Sequence, residues 1–180
     1  MFFAPEIELM PATESFAAAH IKPGLLVSTN YAEMLVKEIP AEKFAHMPHP
    51  KMNHPAFCLG HLSIYPDKMF ELLGMEDRVE EKPGFEELFS PAAECVEQDG
   101  RYPEKDVIVE YFLDRHRALA EALPEISDET LQQPNPMEGR MRELFPTIGA
   151  ALIFTTTGHI MMHLGQISAW RRAMGMGSAM

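Results

Sequence analysis

Apolar residues in this chain recur with a period near 3.6 through four long stretches, and no stretch alternates apolar with polar residues as a half-buried strand does. That period restricts the chain to packed helices, and prolines mark where the helices stop. The first stretch, 21–38, puts Leu25, Leu26, Thr29, Ala32, Leu35, Val36 and Ile39 on one face and is closed by Pro40. A leading segment, 13–20, extends it, with Pro23 and Gly24 as a kink. The second, 53–73, begins at a cap, Asn53 or His54, with Pro55 in the first turn. Pro66 falls inside it and has no N–H to donate to the carbonyl of Leu62, so a kink or break is expected there.

A Glu-, Pro- and Gly-rich connection, 74–103, follows and carries one short helix at 85–89. The third helix, 104–123, has acidic residues in its first turn and Pro124 just past its end. The fourth, 146–174, ends at Gly175, a C-terminal stop. These elements predict an all-α fold, a four-helix bundle with long connections and short extra helices, built as a single domain over 1–180. At 180 residues, with 46% hydrophobic and 23% charged residues, the chain can bury a core without staples.

Charge and cysteine content remove several function classes. A formal net charge of −12 opposes a nucleic-acid surface, which needs clustered Lys and Arg. The short basic pairs, Arg140/Arg142 and Arg171/Arg172, read as solvated helix ends. Two cysteines, Cys58 and Cys95, form no disulfide framework and suit a reducing cytoplasm. The N-terminus lacks the basic region of a signal peptide. The most apolar run, 146–170, is interrupted by threonines, histidines and a glutamine, so no membrane span is expected.

The unusual feature of the last helix is GHIMMHLGQISAWRRAMG, 158–175. With each residue advancing 100°, His163 lies about 40° from His159, Gln166 about −20° and Trp170 about 20°. The stripe Ile148, Leu152, Thr155, His159, His163, Gln166, Trp170 thus begins apolar, turns polar and ends aromatic. Two imidazoles one turn apart on one face can share a metal ion, but a pair of neutral core histidines bonded to Thr or Gln has the same spacing. A third ligand is available on the second helix: His61 shares a face with His54, Phe57, Leu62, Tyr65 and Met69. His54 lies about 10.5 Å further along the helix axis and cannot reach the same ion. Cys58 reads as a small core residue and the 14 methionines as filler. On the third helix Asp114 or Arg115 is a candidate second contact, against the simpler reading of a solvated helix edge. Gln166 can orient a ligand or bond across helices.

The pairing of LGHLSIY on the second helix with GHIMMHLGQISAWRRAMG on the last resembles the DinB-like (YfiT-like) superfamily of metal-binding four-helix bundles. The specific part is His-x3-His followed by Gly-Gln-Ile and a basic pair, with an upstream Gly-His-Leu. The resemblance implies a three-histidine site from His61, His159 and His163 inside the bundle. It also implies a divalent metal (Zn, Ni or Fe) with an open position, and a small-molecule substrate. Members include transferases and isomerases that use mycothiol, bacillithiol or glutathione, and many proteins with no known reaction. The function expected is a thiol-dependent S-transferase, isomerase or hydrolase. The alternatives are a non-catalytic bundle with a structural or sensing metal, or a metal-free interaction protein. The resemblance and the apolar surplus are compatible with a homodimer.

Overall fold

A computed structural model describes residues 15–179. A π-helical turn, Ala17–Ile21, runs without a break into α1 (Lys22–Lys37). The expected extension to residue 13 is there from Ala17; Thr13 and Glu14 lie outside the described residues. Pro23 occupies the first turn of α1 and has no N–H, and the wide turn sits just upstream, where Lys22 N–H bonds to the Ala17 carbonyl. The buried face is the expected one except at Leu26, which is exposed.

The second stretch is two helices, α2 (Pro55–Ser63) and α3 (Tyr65–Leu72), separated at Ile64, two residues before Pro66. His54 caps α2: its Nδ1 accepts from the Phe57 N–H. The short helix in the insert is α4 (Phe85–Phe89). The third long helix, α5 (Lys105–Ala122), gives way to a 3-10 turn that contains Pro124.

Two further short helices lie in the next connection, α6 (Asp128–Gln132) and α7 (Arg140–Leu144). Neither was expected: the five-residue α4 shows an apolar i, i+4 pair, Phe85 and Phe89, whereas α6 buries only Leu131 and α7 no residue, so no apolar stripe marks them. The last stretch is α8 (Ile148–Ile153), a π turn over Phe154–His159, and α9 (Ile160–Ala173). Gly175 follows with φ +71°, the left-handed stop.

Helix α1 packs on α5 and α9, and α2 packs on the same pair, so the four run around the core in the order α1, α5, α2, α9. Leu25 and Leu35, Leu59 and Leu62, Ile108 and Phe112, and Leu164 and Ile167 fill the centre, each nearly or wholly excluded from solvent. The run Ile148–Ala173 is long and apolar enough by length and composition to cross a membrane. In this fold it is a core helix, burying Ile160, Leu164, Ile167 and Trp170 against its neighbours.

Arg171 is not the solvated helix end expected: it is 1% exposed and donates to the Leu35 carbonyl at 2.7 Å, at the last turn of α1. A guanidinium there satisfies a carbonyl the helix leaves open and complements the helix dipole.

Candidate metal centre

Two helices converge on a common point: α2 delivers His61, and the last helix delivers His159 from the end of its π turn and His163 from the first turn of α9. His61 Nε2 and His163 Nε2 lie 3.3 and 3.2 Å from His159 Nε2. The three ligand atoms fall within 4.8 Å of one another, and the side chains are 6, 7 and 9% exposed.

The tautomers of two of these rings follow from what their other nitrogens face. His61 Nδ1 is 2.7 Å from the Phe89 carbonyl, an acceptor only, so Nδ1 carries the proton. His163 Nδ1 is 3.2 Å from Gln166 Oε1, an oxygen already receiving Asn53 Nδ2 at 3.1 Å and the Cys58 thiol at 3.5 Å. That oxygen too is only an acceptor, so His163 Nδ1 carries the proton and donates to it. Both Nε2 atoms are therefore bare lone pairs aimed at His159 Nε2. A single proton on His159 Nε2 can meet only one of them, and His159 Nδ1 is buried with no partner. Protein groups alone leave this cluster unbalanced.

A cation fits the imbalance. Tetrahedral zinc–imidazole bonds of about 2.0–2.1 Å put ligand nitrogens about 3.3–3.4 Å apart, close to the two shorter separations in the cluster. Burial, with His163 and His61 next, pushes His159 down to about 3. Burial and His61 bring His163 to about 4, opposed by the Gln166 bond, and burial lowers His61 against the Phe89 carbonyl. All three are neutral near pH 7, the form that ligates.

Local sequence explains how each ring is held. Gly60, next to His61, has no Cβ because the Phe89 ring occupies that space: a Cβ would lie 2.5 Å from it. This close approach brings the Phe89 carbonyl to His61. The π turn carries Thr156 and Thr157, whose hydroxyls bond back to the Leu152 and Ile153 carbonyls. It shifts the middle of the expected stripe: Ile148, Leu152 and Trp170 are buried as read, while Thr156 rather than Thr155 is the buried threonine. Gln166, at an exposed position, both bonds across helices and orients His163.

Two cavities meet at the cluster. One, of about 690 Å³, has His61, His159 and Tyr65 at its inner end and Met69, Met141 and Phe154 among its walls. The other, about 520 Å³, includes His61 and His163 with Lys51, Asn53, Glu94 and Cys95. The Tyr65 ring centre lies 4.4 Å from that of His159, and burial raises its pKa, keeping the phenol protonated at neutral pH. Burial pushes both thiols up, Cys58 far more than Cys95, so neither is a thiolate.

Arg115 and Asp114 do not join the cluster. Arg115, 3% exposed rather than at a solvated edge, bonds Asp67 Oδ1 from Nε at 3.1 Å and the Arg78 carbonyl at 2.6 Å. Asp114 sits at its side, 3.5 Å away and largely exposed. Tyr111 donates to the other Asp67 oxygen at 3.0 Å. This network ties α3 and α5 to the insert. His54 is spent on its cap and on the Val96 carbonyl, to which Nε2 donates.

Sequence reasoning had no means of finding Phe89 as the partner of His61, since 28 residues separate them. The same holds for the wall supplied by Pro136, Met137, Met141 and Phe145.

Residues 25–167 match the sequence model of the DinB superfamily. The chain has no match among curated proteins.

Proposed function

The chain belongs to the DinB superfamily, and from that premise we propose that it is a metal-dependent enzyme acting on a small molecule, with His61, His159 and His163 as ligands. The observation that carries this reading is the convergence of three Nε2 atoms where two cavities meet. A purely structural metal is closed off by protein ligands; here free space adjoins the ligand atoms on two sides.

Zinc, nickel or iron(II) suits three neutral imidazoles, and such an ion would supply Lewis acidity and ionise a water or thiol bound beside it. The chain's own residues do the rest. Phe89 and Gln166 hold two rings in the Nδ1–H tautomer, and Tyr65 offers a protonated phenol at the inner end of the larger cavity. The second cavity, with Lys51, Asn53 and Glu94, gives room for a polar cosubstrate such as a low-molecular-weight thiol. That second space favours S-transfer or isomerisation over hydrolysis, which needs only water. The free Cys58 and Cys95 agree with a reducing cytoplasm. Exposed Val27, Met34, Met161 and Met162 offer apolar surface for a homodimer.

The test is metal quantification on untagged, metal-replete protein beside His61→Ala, His159→Ala and His163→Ala. About one divalent ion per wild-type chain and under a tenth of that in each variant is expected. Thiol-dependent turnover of an electrophile should appear only in the loaded wild type. Equal metal content in wild type and variants sinks the reading.

A further inference from the structure

The polar lining of the larger cavity is confined to a few side chains, Thr155 among them. The inner end carries the imidazoles and the Tyr65 phenol, and the rim carries Lys68 and Glu71, of opposite charge. Apart from these and Thr155, the lining is methionine, leucine, phenylalanine, proline and alanine. At about 690 Å³ it falls within the 300–1,000 Å³ typical of sites for drug-sized ligands.

Its outer wall is built deliberately rather than left over from packing. Pro136, Met137, Met141 and Phe145 come from the 134–147 connection. That connection is pinned at its base: Asn135 N–H bonds the Pro146 carbonyl, and Ile148 N–H the Gln133 carbonyl, both at 3.0 Å. Asn135, fully buried, donates from Nδ2 to the Phe145 carbonyl at 2.8 Å, and Arg142 Nε donates to the Asn135 carbonyl at 2.8 Å. Phe145 stacks on Phe154 at 4.5 Å, and Phe154 in turn stacks on His159 at 5.6 Å. A continuous aromatic column therefore runs from the connection to the histidines.

Met137 and Met141 remain 41 and 38% exposed and take no part in the hydrophobic core. A polar substrate would lose hydration along this wall and gain no partner there. An apolar chain or ring would lose nothing and would remove both methionines from water.

We propose that this cavity takes an amphipathic small molecule, its apolar chain or ring along the 134–147 wall and its single polar head group at the histidines and Tyr65. The placement of the head rests on the metal-enzyme reading; the apolar site does not. Thioether side chains, adaptable in shape, suit a family of related chains rather than one rigid compound.

The n-alkyl hydroxamates from acetohydroxamate to octanohydroxamate, titrated calorimetrically into zinc-loaded protein, provide the test. Affinity should rise with chain length by up to about fourfold per methylene and at least 100-fold across the series. Met137→Glu and Met141→Glu, at exposed wall positions, should reduce that ratio below tenfold. Acetohydroxamate, too short to reach the wall, should change less than twofold. A flat series in wild type, or a steep one untouched by both substitutions, overturns the proposal. In chelator-stripped protein, butan-1-ol to octan-1-ol read the apolar site alone. A rising, wall-sensitive alcohol series without metal-dependent hydroxamate binding supports the apolar site and sinks the metal reading. Metal-dependent hydroxamate binding with no chain-length effect does the reverse.

Discussion

Gln166 shows how much one exposed side chain can decide. Its Oε1 accepts from Asn53, Cys58 and His163, and by fixing the proton on His163 Nδ1 it leaves Nε2 free to ligate. Replacing it with leucine removes the acceptor while leaving the core untouched. Gln166→Leu should weaken metal binding by about 10- to 100-fold, read by chelator competition, with little change in melting temperature. Gly60 acts from the opposite side. A methyl there would meet the Phe89 ring at 2.5 Å, and the ring belongs to the residue whose carbonyl holds His61. Gly60→Ala should therefore cost about 1–3 kcal/mol in denaturant unfolding and reduce metal affinity together.

At the scale of elements, the π turn over Phe154–His159 sets the phase between the two halves of the last helix. A π turn accommodates one residue more than an α turn, so His159 and His163 face the cluster while Leu152 still faces the core. Deleting Thr157 removes that extra residue and rotates one half against the other by about 100°. Helical content by circular dichroism should stay close to wild type while metal stoichiometry collapses. Retention of metal by the deletion would show that the turn does not set the site. The α2–α3 break at Ile64 is a comparable device: it ends α2 just after His61 and starts α3 with Tyr65, setting both at the inner end of the larger cavity.

The whole molecule carries a pH dependence of its own, in two buried histidines that are not among the candidate ligands. His54 and His116 are buried and each is brought down to about 4, mainly by burial, His54 against the pull of the Val96 carbonyl and His116 against that of Phe112. Unfolded, both titrate near 6.5, so between about pH 6.5 and 4 the unfolded chain holds more protons than the folded one. Their contribution is fully present above pH 6.5 and is lost as the pH falls towards 4, by about 3 kcal/mol each at the low end. His116→Leu should flatten the acid limb of stability against pH in metal-free protein; an unchanged slope would refute this account. The Arg115–Asp67 pair, 3.0 Å apart and buried on both sides, is the other global constraint. Arg115→Met leaves the Asp67 carboxylate buried without its cation and should cost about 3–5 kcal/mol in unfolding free energy.

Helix positions, the Pro66 break and the three histidines were readable in the sequence, because period, proline chemistry and residue type are local properties. The short helix at Phe85–Phe89 could be read there too. Other features were decided only in three dimensions. Phe89 and Gln166 become imidazole partners through folding, Arg115 and Arg171 leave the surface for buried carbonyls and a carboxylate, and Met137 and Met141 become a cavity wall. Each depends on which remote backbone happens to pass within a few ångströms, and no local pattern encodes that. The sequence by itself therefore determined the long helices and the residue types gathered at the candidate site. The tertiary structure decided which lone pairs meet, and what kind of space opens beside them.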